Sequence, residues 1–470
     1  MRFVDRREEM GRLDRALARP GSFSVIWGRR RVGKSRLLVE WSGRHNGLYT
    51  VADLSVPSVQ RRYLASAVAE RFPNFADVEY PNWRAFLTRL SEEADRVGWP
   101  GPFVIDELPY LIAADPGLAS DIQNWIDHPS RQLGVVVSGS SQRMMHGAVL
   151  DASAPLYGRA DQAFALRPLQ PGHLSDAFGS DDWRWLVSLY ALWGGMPRYW
   201  ELALPFGSDL EAAVDSLVLD PAGPLHEEPA RLLEQEIPPA SALRPLLDVI
   251  GAGAHRVSEV GGRLGRAASS LSRPLKSLVE MGLVRRETPF GANPRTSKRS
   301  LYRIDDPFLR LWFRVIAPHR AAMYASPPES RLLYWKRHRG QLEGYAWQEL
   351  CRAAVPLLHR ADHPVAKLGP FEPAWRYWRG SQREVDLVTP DIERNRLLVG
   401  EAKLSASAAD VSRWTTAVDN LSLPASTGME RVPVMFVATA GRLSTRVAKG
   451  YVVDARTVFT VLRQPRNLVQ

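Results

Sequence analysis

Cysteine, lysine and long apolar runs are scarce in this chain. A single cysteine, Cys351, occurs in 470 residues, which excludes an internal disulfide framework and any zinc cluster built on cysteines. The ten histidines include no HExxH or other ligand spacing, which argues against a catalytic zinc. The longest near-apolar stretch, Trp185 to Met196, falls short of the ~20 residues a membrane helix needs. The N-terminal MRFVDRREEM lacks the apolar core of a secretory signal, so the expectation is a soluble, cytoplasmic chain with no membrane partner. There is no internal repeat, heptad seam or low-complexity tract, and the one Pro-rich patch, Ser326 to Ser330, reads as a connector. Only seven lysines stand among 61 basic residues. A lysine where chemistry needs an amine therefore carries extra weight.

What is present is ordinary globular material. Hydrophobic residues make up 45% and charged residues 24%, enough for three or four domains at ~100–200 residues each. The net charge of +10 is concentrated: residues 254–304 hold eleven bases against three acids. That segment alone accounts for +8 and leaves the rest of the chain close to neutral. A polyanion such as DNA is the partner that such a patch suggests.

Three short apolar runs, Ser22 to Trp27, Pro102 to Ile105 and Gly134 to Val137, are separated by helical patterns, the alternation of a parallel sheet covered by helices. Between the first run and a helix lies Gly28-Arg29-Arg30-Arg31-Val32-Gly33-Lys34-Ser35, which matches G-x-x-x-x-G-K-[ST], with Arg36 directly after it. The glycines let backbone N–H groups wrap the α- and β-phosphates of ATP; Lys34 reaches the β/γ-phosphates and the Ser35 hydroxyl ligates Mg²⁺. Phe103-Val-Ile-Asp106-Glu107 supplies the carboxylates such a loop needs. Asp106 stands on the metal side and Glu107 orients the attacking water. Ser138 and Ser140, after the third run, are γ-phosphate sensors or loop caps.

Together with FVDRREEM (3–10), VIDELPYL (104–111), SGSS (138–141), PLYGRADQAFALRPL (155–169) and GGMPRYW (194–200), these motifs resemble the archaeal-type ATPases, P-loop enzymes near the AAA+ and STAND classes. The resemblance covers about the first 240 residues. It implies that the N-terminal segment lies near the adenine and that Gly195 and Pro197 contact nucleotide from a helical lid. It also makes Arg159 a candidate transition-state arginine, acting within the chain or across an oligomer. The other reading of Arg159 is a surface ion pair. The implied organisation is an ATPase core over 1–165, the lid over 166–237, a winged helix-turn-helix over 238–310 and an α/β domain over 311–470.

The basic segment has the corresponding shape. The helical pattern VSEVGGRLG precedes SSLSRPLKSLVEMG, where Ser272 is placed to cap, Pro274 to open the helix and Gly282 to close it. Two extended runs around a basic loop follow, and the whole resembles a winged helix. In that module Arg273 and Lys276 would face a DNA major groove, while Arg285, Arg286, Lys298 and Arg299 would meet phosphates. The other reading is a module that packs on the lid and contacts a protein partner.

Near the C-terminus, Asp386 and Glu401 are symmetric about a turn centred between Glu393 and Arg394. In an antiparallel hairpin they become cross-strand neighbours able to share a hard cation, with Lys403 on the same face. Two carboxylates and an amine around Mg²⁺ suit hydrolysis of a phosphodiester. The pattern resembles the restriction-endonuclease-like nucleases, and that resemblance adds Glu349, on the preceding helix, as a further metal ligand. Trp375, Tyr377 and Trp378 read as base-stacking residues or, more economically, as packing. The expected function is an ATP- and Mg²⁺-dependent ATPase that binds DNA and cleaves it. The alternatives are a STAND-like switch or transcription factor with a non-cleaving C-terminal domain, and an ATPase that remodels a protein partner.

Overall fold

Short runs of branched and aromatic residues, buried on both faces, make the central strands of the first sheet. In the computed structural model the strands are β1 (Phe23–Trp27), β2 (Leu48–Val51), β3 (Phe103–Asp106), β4 (Val135–Gly139) and β5 (Gln162–Ala165). They pair all-parallel in the order β2-β3-β4-β1-β5. β1, β3 and β4 are the three runs expected. β2 and β5, at the sheet edges, alternate in burial and are too short to stand out as apolar runs. Because all five strands run one way, the loops after β1, β3 and β4 emerge at one end of the sheet, where ligands bind in open α/β folds. An aromatic cluster including Phe75, Tyr80, Trp83, Phe86 and Trp99 fills the core of this unit.

The structure describes every residue except 141–144, 146, 148, 150, 237–242, 381, 382, 425, 440, 442 and 465–470. Ser141 of the SGSS run and the expected boundary after residue 237 lie outside the described residues. The chain divides into two units: Asp5–Leu169 with Met196–Arg198, and Met1–Val4, Gln170–Gly195 and Tyr199–Gln470. No helix among the described residues is long and apolar enough to cross a membrane.

In the second unit, helices Leu243–Gly251, Val257–Leu264 and Ser272–Glu280 are followed by an antiparallel pair, β6 (Val284–Glu287) and β7 (Leu301–Ile304). Leu275 and Leu278 form the buried stripe of the third helix. Ser272 is the first helical residue and makes no capping bond, because the 3₁₀ turn Ala268–Leu271 runs straight into the helix. Further on, the 27-residue helix Pro328–Ala354 precedes a mixed sheet in the order β12-β13-β11-β10-β9-β8. Its strands are β8 (Trp375–Tyr377), β9 (Val385–Pro390), β10 (Arg396–Ser405), β11 (Glu430–Thr439), β12 (Arg446–Val447) and β13 (Gly450–Asp454). β8, β9 and β10 form an antiparallel meander, and β11 then joins β10 in parallel after the helix Ala408–Asp419. Trp414 is buried between that helix and the sheet and donates from Nε1 to the Val434 carbonyl, 3.1 Å. Tyr377 and Trp378 are buried, so packing accounts for both, while Trp375 is exposed.

Candidate functional site

The turn after β1 is shaped by its glycines. Gly28 has φ of 150°, and a Cβ there would lie 2.6 Å from the Leu166 carbonyl oxygen, which no side chain tolerates. Gly33, with φ of 96°, leads into the helix Lys34–Arg44, and a Cβ on it would sit 3.4 Å from the Pro197 ring. The loop therefore passes close to Pro197, the residue that the family resemblance names as a nucleotide contact. The first turn of that helix carries no acidic residue, so its partial positive charge faces the loop uncancelled. Lys34 is folded back over the loop, donating from Nζ to the Gly28 carbonyl (2.8 Å) and the Ser140 hydroxyl (2.6 Å). Arg6 braces the loop: its guanidinium donates to the Val32 and Arg167 carbonyls, each at 2.8 Å.

Asp106, fully buried at the end of β3, is ringed by neutral donors. The Tyr49 hydroxyl donates to Oδ2 at 2.6 Å, the Ser138 hydroxyl to Oδ1, and the Glu107 amide to Oδ1 at 3.0 Å. Burial pushes the Tyr49 phenol well up, and the Asp106 carboxylate adds to this, while a hydrogen bond with Ser35 opposes it. Tyr49 thus touches both residues expected on the metal side. Glu107, held at φ of 57°, accepts from the Ser140 amide (3.0 Å) and hydroxyl. Before it can orient a water it must exchange Ser140. The cradle that a Cβ would fill, the lysine, the hydroxyl and the buried carboxylate fit a nucleotide with its Mg²⁺.

The C-terminal hairpin pairs Leu397 with Pro390, Leu398 with Thr389, Val399 with Val388 and Gly400 with Leu387. Asp386 and Glu401 are next in that register, as the turn symmetry required. Asp386 accepts from the Ala402 amide at 3.0 Å and the Gln348 amide at 2.9 Å. Burial, with Glu401 nearby, raises its carboxyl above the usual range. Glu401 is paired at 2.7 Å with both Arg383 and Lys403. Glu349 is not brought to this pair. Its carboxylate is taken by Arg285 and Arg310, whose charges outweigh burial and hold it ionised. Gln348, one residue earlier, faces Asp386 instead. Among the described residues no group of three or more His, Cys, Asp or Glu side chains is arranged around one metal position.

Residues 3–200 match the family described as an ATPase domain predominantly from Archaea. The likeness to that family is confined to this N-terminal part of the chain. The uncharacterized protein MJECL04 of Methanocaldococcus jannaschii is 28% identical over 410 residues, spanning 85% of this chain and 87% of that protein. The Walker-type ATPase PABY2304 of Pyrococcus abyssi is 19% identical, with a TM-score of 0.53 over 67% of this chain and 96% of its own, a likeness of fold. The Aeropyrum pernix ORC2 protein, solved as ADPNP–ADP complexes, is 16% identical with a TM-score of 0.45 over 69% and 97% of the two chains.

Within residues 3–200, Lys34, Ser35, Asp106 and Glu107 converge through Tyr49 and Ser140. Arg36 is exposed on the helix. The Arg159 guanidinium is occupied by Asp127, at 2.9 Å, and by the Pro155 carbonyl at 2.8 Å, which is the surface-pair arrangement. In the basic segment, Arg273, Lys276, Lys298 and Arg299 are exposed. Arg285 is not available to phosphates, because Glu349, Glu287 and Asp305 surround it. Arg286 is exposed but bonded to Ser300 and the Ser297 carbonyl. Sequence reasoning missed Arg6, Tyr49 and Gln348 as individual residues. Only the tyrosine's place one strand over from Asp106 could have signalled it, and that needed β2.

Proposed function

We propose that the ATPase domain hydrolyses ATP to control a DNA-binding winged helix and a C-terminal nuclease-like site. Lys34 and the loop amides hold the phosphates, and Ser35 and Asp106 hold Mg²⁺. Glu107 turns to the attacking water once the γ-phosphate draws Lys34 and Ser140 away from it. The three helices and the β6–β7 pair support the winged-helix reading. So do exposed bases on that module, among them Arg263, Arg266, Arg273, Lys276, Arg295, Lys298 and Arg299.

The observation that carries the nuclease reading is the hairpin register, which sets Asp386 opposite Glu401 with Lys403 two residues on. The antiparallel meander followed by a parallel strand, behind a long helix, supports the same fold reading. A cation bound by the two carboxylates would polarise a phosphodiester and lower the pKa of its water. Lys403 sits 2.7 Å from Glu401, placed to position that water. The test incubates wild type and Asp386→Ala with DNA, Mg²⁺ or Mn²⁺, with and without ATP. Cleavage by wild type that disappears in Asp386→Ala supports the reading. Intact DNA under every condition overturns it.

A second reading has its own observation. With Glu349 bound by two arginines and Glu401 by two cations, the C-terminal domain serves a switch that binds ATP and DNA without cutting. Nucleotide-dependent DNA binding with no cleavage is its expected result.

A further inference from the structure

Along the helix Pro328–Ala354, where Gln348 and Arg352 bond to Asp386, a shallow recess opens to solvent. Five guanidiniums line it, those of Arg285, Arg303, Arg310, Arg314 and Arg352, with His255 and Tyr345 completing the wall. The carboxylates within reach are Glu349, Glu287 and Asp305, and they are shared unevenly. Arg285 is held by all three and Arg310 by Glu349 at 2.6 Å. Arg303 reaches Glu287 only at 3.6 Å and Arg352 only at 3.9 Å.

Arg314 has no carboxylate partner among the described residues. Its contact is the neutral Gln341 side chain at 3.2 Å. The Nε atoms of Arg303 and Arg314 are buried without a hydrogen-bond acceptor. Gly253, with φ of 101°, lets Arg314 lie across the mouth: a Cβ there would stand 3.0 Å from its Nη1. Arg303 is stacked on the Tyr345 ring, 4.7 Å from its centroid. Burial and then Arg376 lower its ordinary pKa, the sign of a cation that its surroundings do not fully compensate.

Buried guanidiniums short of partners are costly unless an anion completes them. The five lining guanidiniums outnumber the three carboxylates, and Glu287 is shared with Arg376 as well, so the recess keeps a net positive charge that suits a phosphate monoester, which carries about −2 near neutral pH. Guanidinium forks bind phosphate oxygens two at a time. A duplex backbone is convex and could not follow these arginines into a recess. We propose that this recess is a binding site for a small phosphorylated anion, of pyrophosphate size, held by Arg303, Arg314 and Arg352. It is separate from the nucleotide loop, and Gln348, which also lines it, is the residue that bonds to Asp386.

Pyrophosphate is the probe. Calorimetric titration uses the full-length Lys34→Ala chain, in which the nucleotide loop is disabled, alone and with Arg303→Gln or Arg314→Gln added. Each added substitution is expected to weaken pyrophosphate about tenfold or more, the loss of one hydrogen-bonded ionic contact. Hydrogen exchange on the Lys34→Ala parent supplies a second measurement, independent of whether either double variant folds. Pyrophosphate should protect residues 301–314 and 341–352. Absence of binding to the parent, affinity unchanged by both substitutions, or protection confined to residues 28–36 would each overturn the proposal.

Discussion

Asp106 and Glu401 are both carboxylates on buried strands beside a lysine-bearing motif, yet their partners differ in charge. Around Asp106 the donors are two hydroxyls and a backbone amide. These orient the carboxylate without bringing a positive charge to it, so a cation arriving with ATP meets no cation held there by these donors. Around Glu401 the donors are a guanidinium and an ammonium. There the charge is already balanced, and a metal must displace or rearrange a cation before it gains the carboxylate. Glu349, between Arg285 and Arg310, is the extreme of the second kind. A motif states which carboxylates are present, and the partners decide which of them a metal can use.

The contrast can be broken at either end. The largest effect is expected from Lys34→Ala, which removes the ammonium that reaches the nucleotide's phosphates. ATP turnover should fall by roughly 10²–10³-fold, the loss seen when a preorganised electrostatic donor is removed. Unchanged turnover would end the P-loop assignment. Next comes Glu287→Gln in the second unit. Arg285, Arg303, Arg352 and Arg376 surround that carboxylate and hold its pKa down at about 2, against the opposing pull of burial. Stripping its charge leaves four guanidiniums facing one another and should cost about 3–5 kcal/mol, read as earlier melting and as faster amide exchange across residues 284–304.

A smaller effect is expected where the partners are neutral. Tyr49→Phe deletes one hydroxyl donor to Asp106 and should slow ATP turnover by roughly 10- to 100-fold with little change in melting, in line with the ~1.5–3 kcal/mol of a hydrogen bond to a charged group. If turnover does not change, the hydroxyl ring around Asp106 is packing and not orientation. The last effect is seen only in acid. Burial first, and Arg303 second, hold the His255 imidazole at about 4 instead of its ordinary 6.5. Between those values the unfolded chain takes up a proton that the folded chain refuses, so stability falls as pH drops through that window. Thermal melts at pH 6.5, 5.5 and 4.5 should show the decline, and His255→Gln should flatten it.

The nucleotide loop could be read from the sequence because its chemistry is contiguous: eight neighbouring residues specify turn, lysine and hydroxyl. The register of the C-terminal hairpin was readable for a related reason, since a turn and the two-residue period of strands leave one pairing. What could not be read depends on residues brought from far along the chain. Glu349 and Gln348 differ by about 100° around one helix. Arg285 and Arg310, 64 and 39 residues earlier, draw the former away and leave the latter facing Asp386. Tyr49 was hidden because β2 is an edge strand of four residues with no continuous apolar signal.

The turn that joins β9 to β10 bears on how this chain can change. Asp391 accepts hydrogen bonds from the Asn395 and Arg396 amides at 2.8 and 2.9 Å, and Arg394 takes a left-handed conformation with φ of 58°. These few residues, exposed except for the buried Asp391 and the half-buried Arg396, determine which carboxylates meet at the other end of the hairpin. Inserting or deleting one residue there would turn Glu401 and Lys403 to the opposite face while every residue of the candidate centre remained unaltered. A lineage could therefore lose or regain that centre through the length of a surface turn, and a comparison restricted to the acidic residues themselves would miss the change.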